Sequence, residues 1–480
     1  MPLKEDISRK IHSITTSSTA KFIAITILLL LLLIPKSMVT DVIHDRQRHR
    51  DEARQEVSSQ WGGPQVLAGP FLVVPYLTLE KMVTEKKEVQ QTSVLNYAVF
   101  LPDSLLEEVQ AQPQVRHRGI YEVVLYQSKI SLKATFSWPN FNNFPVQPQK
   151  ILWNKASLVQ GLSDIRGIQK DASLLLNGKN TPLEPGLPPI QTVSSGIHAD
   201  LDLSTRRTSL ACSLNFTLNG ADNLSFIPLG RQTIVSFSSP WASPSFQGAF
   251  LPTSREVGPT GFKAQWEIPN LARNFPQQWT TANSPVEFQT STKTLINAAT
   301  YYGDTESEPR RTMDLGSSTF GVNFLYPVDT YQTTTRSAKY GELFLALTFL
   351  IFFLFEVLSR ARIHAFQYLL VGFSLILFYL LLLSTSEFIG FGWAYLLAAV
   401  ATIGLITTYS SSVLWNWKQA RMIGILLGFI YAYLYCLLKA EDYSLLLGSV
   451  GLFISLAIVM YATRKVDWYN ANSQNIKFKK

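Results

Sequence analysis

Apolar residues in this 480-residue chain are gathered into two regions, and that distribution restricts the fold more than any motif. One is Phe22–Met38. The other runs from about Gly341 to Tyr461, leaving an ordinary polar chain of about 300 residues between them. A bilayer core takes about 20 apolar residues per helix, so the tail has room for roughly five helices with very short loops. The candidate spans are Phe22–Met38, Gly341–Leu358, Phe366–Leu383, Ile389–Tyr409, Met422–Leu438 and Ser444–Ala462. The expected fold is therefore a membrane protein of six transmembrane α-helices, one N-terminal and five C-terminal. A large β-rich (α+β) domain is inserted between the first and second.

Lys and Arg in short loops favour the cytoplasmic side. Lys4, Arg9, Lys10 and Lys21 precede the first span, Arg360 and Arg362 follow the second, and Lys418 and Arg421 follow the fourth. Arg464, Lys465, Lys477, Lys479 and Lys480 follow the sixth. The alternate loops hold Glu387, and Lys439 against Glu441 and Asp442. Six spans place every basic loop on one side. The expected organisation is a cytoplasmic tail (1–21), a first span (22–38), a periplasmic β-rich domain (39–340), a five-helix bundle (341–462) and a cytoplasmic tail (463–480). Pro35-Lys36-Ser37-Met38 offers no small-x-small cleavage site, so the first span reads as a retained anchor.

Transport pathways and intramembrane proteases leave ionisable residues at membrane depth. Aspartate and histidine are absent from all six spans. Glu356 lies four residues before Arg360, a helical pairing distance, and Glu387 and Lys439 sit at span ends. Ser374, in Gly372-Phe373-Ser374, has no histidine in a span to act as its base. Trp393, Tyr395, Trp415, Trp417 and Trp468 read as interface anchors. Gly424 and Gly428 are spaced for close helix packing. No broken-helix pair of the kind transporters use is visible, so the bundle reads as an anchor or interaction element.

Between the apolar regions, Asp41–Ser59 is dense in charge and free of proline and glycine, as expected of a solvated continuation of the first helix. His44 and His49 fall roughly 140° apart on such a helix and cannot share a metal. From Gly69 the pattern turns to strands. Phe262, Ala264, Trp266 and Ile268 alternate with polar residues, as do Leu210, Cys212, Leu214, Phe216 and Leu218. Tyr121–Phe136, Leu95–Leu101, Phe71–Leu79 and Ile234–Phe237 are further candidates. Trp138–Pro148, Thr181–Gln191 and Ser239–Pro259 read as breaks, the second of which could divide two subdomains.

The residue inventory excludes several functions. No phosphate-binding glycine loop, nucleophile elbow, H-E-x-x-H or CxxC pair occurs, so no catalytic residue, metal or cofactor is expected. Two cysteines, Cys212 and Cys436, cannot make a disulfide framework and read as small buried apolar residues. The net charge is +8. Its excess lies on the short flanks, which suits topology and not nucleic-acid binding.

Several blocks carry a resemblance. Gly69-Pro70-Phe71-Leu72-Val73-Val74-Pro75-Tyr76, Leu101-Pro102-Asp103-Ser104-Leu105, Arg118-Gly119-Ile120-Tyr121 and Leu162–Ile168 occur in that order. Pro244–Pro252 follows, with Arg255-Glu256-Val257 and Gly261-Phe262. Further blocks are Pro327-Val328-Asp329, Gln367–Gly372 and Asp467-Trp468-Tyr469. Together they resemble the CreD family of bacterial inner-membrane proteins over nearly the whole chain. The resemblance implies an inner-membrane protein of Gram-negative bacteria associated with envelope integrity, tolerance of colicins and β-lactams, and control by a two-component system. It supplies no catalytic residue.

Charged residues within the blocks, Asp164, Arg166, Arg231, Arg255 and Glu256, are the candidates for binding, or for pairing that holds the domain together. The preferred expectation is a non-enzymatic protein whose periplasmic domain binds an envelope protein or a peptidoglycan-related component, with the lipid bilayer around its bundle. Two other classes are a periplasmic hydrolase of peptidoglycan or lipid-linked material, and a transporter or lipid-handling protein.

Overall fold

The computed structural model describes residues 18–83, 89–190, 192–206, 208–281, 286–287, 313–324, 330–359, 363–440 and 443–464. The chain divides into two compact units, Met1–Asp51 with Val328–Lys480, and Glu52–Pro327.

The first unit is helical. Its elements are α1 (Ser18–Trp61, which runs on into the second unit), α2 (Thr330–Lys339), α3 (Gly341–Ser359) and α4 (Ala365–Ile389). They are followed by α5 (Phe391–Leu414), α6 (Trp417–Lys439) and α7 (Ser444–Thr463). Five helices are long and apolar enough to cross a bilayer: α1 and α4 to α7. A sixth span exists if α2 and α3 count together, bent by 44°. The expected span Gly341–Leu358 is α3; the bent α2–α3 pair is what the sequence, in which no broken-helix pair is visible, did not show. Thr330–Lys339 has too few apolar residues to register as membrane-spanning, yet it is helical and buries Tyr331, Thr334, Ser337 and Ala338. Also as expected, α1 stays helical through the charged stretch to Trp61.

Side chains set the starts and ends of the other helices. His364 caps α4: its ring accepts from the Phe366 N–H at 3.2 Å, while the Gln367 side chain accepts from the His364 N–H at 2.8 Å. This reciprocal capping satisfies two of the donors that a helix start leaves open. Gly390, with φ +76°, turns the chain between α4 and α5 in a conformation few L residues adopt. Asn416 caps α6 through the Lys418 N–H. Of the two glycines expected to pack, Gly424 lies against Thr407, and Gly428 has open space. A glycine the spacing did not single out, Gly372, lets Leu32 of α1 and Phe349 of α3 approach α4. α7 buries none of its residues, and Cys436 is exposed on α6, unlike its expected burial.

The second unit is built from strands. The N-terminal group is β1 (Gln65–Val83), β2 (Val89–Phe100), β3 (Ser104–Arg118), β4 (Tyr121–Ser137), β5 (Lys150–Ile151), β6 (Ala156–Leu162) and β7 (Ser173–Leu176). Next come β8 (Lys179–Thr181), β9 (Glu184–Pro185), β10 (Gly196–Leu201), β11 (Ser209–Ala221), β12 (Asn223–Phe226) and β13 (Gln232–Ser239). The last are β14 (Pro244–Gly248), β15 (Ser254–Gly258), β16 (Gly261–Pro269), β17 (Gln278–Thr280), β18 (Val286–Glu287), β19 (Met313–Asp314) and β20 (Phe320–Phe324).

Among the described residues these make a ten-stranded sheet with central order β14-β20-β12-β1-β6-β10-β9, and an eight-stranded sheet, β15-β16-β13-β3-β4-β11-β7-β8. β18 and β19 pair separately. The two large sheets share one core. Phe226 of the first meets Phe237 of the second at 6.1 Å, and Phe320 meets the fully buried Trp266 at 5.6 Å.

All six stretches read as strands fall in β1, β2, β4, β11, β13 and β16. The break at Ser239–Pro259 instead contains β14 and β15, which take its Pro and Gly because each lies at the edge of its sheet. Thr181–Gln191 does not divide the unit, since β10 pairs with β6 and β11 with β4 across it.

Substituting Gly372→Val should drive a side chain into Leu32 and Phe349 and lower the stability of the helical unit by about 1–3 kcal/mol. Thermal unfolding in detergent should show the loss, and adding Leu32→Ala should recover part of it.

Candidate functional site

The five charged candidates fall at three places in the β-rich unit: Asp164 with Arg166, Arg231, and Arg255 with Glu256. Asp164 caps a short 3-10 turn (Ile165–Gly167), accepting from the Arg166 N–H at 2.9 Å. Its carboxylate also takes three contacts from the Arg166 guanidinium, two at 3.0 Å and one at 2.5 Å. That guanidinium holds the Asp164 carboxyl below its usual range, with burial opposing. Arg231 pairs with Asp103 at 3.4 Å, and Asp103 also accepts from the N–H and hydroxyl of Ser137. Arg255 lies over the Phe246 ring at 5.9 Å, tying the two sheet edges β15 and β14 together. Glu256 is exposed on β15, opposite Lys263.

Asp164 lies beside a junction that sequence patterning does not reveal. Gln65 is fully buried. Its amide donates to the carbonyls of Gly62 (2.5 Å) and Asp164 (3.0 Å), and its oxygen accepts from the Ser163 hydroxyl at 3.3 Å. Arg54 pairs with Asp222 at 2.7 Å, and the Trp61 indole donates to the Tyr126 carbonyl at 3.3 Å. These bonds fasten the last turns of α1 onto β1, β4 and β11. Asp164 and Arg166 thus support a structural joint.

Another side chain beyond the reach of patterning is Arg273, at 8% exposure. It donates to the carbonyls of Pro228 and Leu229, at 2.9 and 2.5 Å, and to Gln277. Burial, with Arg231 adding to it, pushes its guanidinium down to about 10.

Glu256 lines an open groove of the β-rich unit. β13 leaves its sheet at Ser239, where Pro240 lacks the N–H a ladder needs. The notch so formed has a volume of about 560 Å³. Gln110 and Gln112 of β3 form one wall, the β15–β16 hairpin with Glu256 and Lys263 the other, and Ser238 and Pro240 the closed end. Such a surface can bind; no nucleophile paired with a base lies along it. Among the described residues no group of three or more His, Cys, Asp or Glu could hold a metal ion.

Glu107 is the buried acid of the unit. It sits at 1% exposure in β3, opposite Leu132 and Val235, with one carboxylate oxygen unpartnered. Burial raises its carboxyl well above the usual range. Cys212 is likewise buried, and its thiol is pushed up to about 12, which suits a packing role.

The helical unit holds acids that patterning placed differently. Glu356 is buried at 6% exposure and accepts from Lys21 of α1 and from the Tyr368 hydroxyl at 3.0 Å. Arg360, its expected partner, lies outside the described residues. Glu387 does lie at the end of α4, but its side chain is only 7% exposed, accepts from the Tyr331 hydroxyl at 2.9 Å and lies 4.0 Å from Arg46. Lys36 meets Glu342 at 3.0 Å.

Two comparisons bear on identity. A family model described as inner membrane protein CreD matches residues 17–469. The chain is also 32% identical over 453 residues to the inner membrane protein CreD of Escherichia coli (strain K12), a match covering 94% of each chain.

Two measurements test the buried acids. Because the Glu107 carboxyl is raised in the folded state, its contribution to stability is complete below about pH 4.3, the unfolded value, and is lost as pH rises toward the folded value. Glu107→Gln should flatten that decline in unfolding midpoints measured between pH 4 and 8. Lys21→Ala, which leaves Glu356 buried without its cation, should destabilise the helical unit by up to about 3 kcal/mol. Lys21→Ala with Glu356→Gln should be more stable than Lys21→Ala alone.

Proposed function

This chain belongs to the CreD family of inner membrane proteins, and we propose that it sustains cell-envelope integrity by binding an envelope protein or peptidoglycan-related component through its β-rich unit. On this reading the β-rich unit faces the periplasm, both termini are cytoplasmic, and tolerance of colicins and β-lactams follows from the binding. The Lys/Arg bias of the short loops supports that topology. The observation that carries the binding role is the open groove holding Glu256, on a unit whose other block-borne charges are tied into local pairs.

A transport or lipid-handling role is a second reading, favoured by the bent α2–α3 pair. Transporters build sites from interrupted helices, and α2 brings the fully buried Thr334 and Ser337 among apolar helices. A hydrolase has less support, because the groove presents Gln, Ser, Glu and Lys without a nucleophile–base pair.

In a strain lacking the gene, the wild-type chain should restore tolerance, and Glu256→Arg should not, while reaching the membrane in equal amount with an unchanged unfolding midpoint. Crosslinking of intact envelopes should yield a discrete adduct that Glu256→Arg loses. Full tolerance with Glu256→Arg would remove the groove from the function. Loss of tolerance with Ser337→Val, adducts unchanged, would favour the helical unit and the second reading.

A further inference from the structure

β3 is paired over its whole length on one side and over less than half on the other. Its bonds to β4 continue to Arg118↔Tyr121, but the parallel ladder with β13 stops at Ser238↔Gln110. Among the described residues, no strand pairs with Ala111–Arg118 on the β13 side. This open edge is about 27 Å long at strand rise, and the Glu256 groove lies at its start.

An open edge is recognised by its backbone. Its C=O groups, and its N–H groups except at Pro113, which has none, repeat at strand spacing and are best satisfied by another extended chain. Native edges are commonly blunted by a covering element, by charge or by proline. Here Pro113 removes one donor and Arg116, His117 and Arg118 charge the far end, which leaves the carbonyls and the other N–H groups for a selected partner. Gln112 and Gln114 are exposed on one face, and Pro113 and Val115 are half-buried on the other, where they continue the buried row of Leu105, Glu107, Val109 and Ala111.

We propose that Ala111–Arg118 is a strand-addition site that takes an extended peptide segment of a partner protein, laid along the line β13 vacates. The inference rests on the partner-binding reading above and specifies the partner's chemistry. The two faces of β3 fix the alternation of the incoming strand: apolar side chains on the Pro113 and Val115 face, polar ones beside Gln112 and Gln114. Charge at the far end fixes one position further. Arg118 is paired with Glu56 at 2.7 Å and His117 with Glu122 at 3.3 Å. Arg116 instead lies over the Trp61 ring at 5.8 Å and meets no carboxylate among the described residues. An acidic residue on the polar face of the incoming strand complements it.

The test places a photoreactive side chain at Gln112, Gln114 or Arg116 of the full-length protein in intact envelopes. A control label at Lys133 sits on the same face of the sheet, in the middle of β4. Attachment sites are then mapped by mass spectrometry. Strand addition predicts adducts to one partner segment, with the attachment point moving two residues for each two-residue step of the label and none from Lys133. With the label at Gln114, Arg116→Glu should lower adduct yield about fivefold or more, while Arg116→Gln lowers it less. Adducts without register, equal labelling from Lys133, or adducts to a second copy of this chain would overturn the site. If Lys133 alone captured a partner, partner binding would stand and the strand-addition site would fall. If no label gave an adduct and tolerance were intact, both would fall.

Discussion

A carboxylate taken out of water among apolar helices is tolerated when a cation and hydrogen bonds replace its hydration, and the helical unit is arranged around that requirement. Lys21, Lys36 and Arg46 lie on one stripe of α1, within roughly 80° at 3.6 residues per turn. They face Glu356, Glu342 and Glu387, contributed by α3 and α4. Two of these acids are buried, and each also accepts a tyrosine hydroxyl. The fourteen-residue step from Glu342 to Glu356 matches the fifteen-residue step from Lys36 back to Lys21, as antiparallel helices of equal rise require. Slipping α1 by one turn would separate these pairs together. Gly372 allows Leu32 to seat between them, so the apolar contact and the charges specify the same register.

The β-rich unit meets a different constraint with a different device. Two wide sheets close over a core rich in phenylalanine, and the last turns of α1 are held at one end by Gln65, Arg54 and Trp61. The charged residues of the family-like blocks then divide by role. Asp164 and Arg166 shape a turn against that joint, Arg231 and Asp103 fix the start of β13 and the end of β4, and Arg255 links two edges. Glu256 stands in an open groove.

Much of this was legible in the sequence. Alternation of apolar and polar residues located β11 and β16, because one face of each packs on the core and the other meets water. Lengths of apolar sequence located α1 and α4 to α7. The span expected at Gly341–Leu358 is α3, and only α2 before it escaped, for a physical reason: Thr330–Lys339 is polar, and its burial comes from neighbouring helices and not from its own hydropathy. β14 and β15 escaped because edge strands tolerate the Pro and Gly that otherwise signal a loop.

The sequence by itself determined the class of molecule: a chain with apolar helices at both ends and a half-buried β-rich middle, since hydropathy and period are local properties. It also supplied the charged residues in the recurring blocks. Which of those charges are struts and which stands in a groove was decided by tertiary structure, because that depends on partners such as Asp103 for Arg231, over a hundred residues away. The same holds for Glu107, whose position in β3 reads like any polar residue until β4 and β13 flank it and the fold buries the face it shares with Leu105 and Val109. Burial and pairing are long-range outcomes of packing, and no window of sequence contains them.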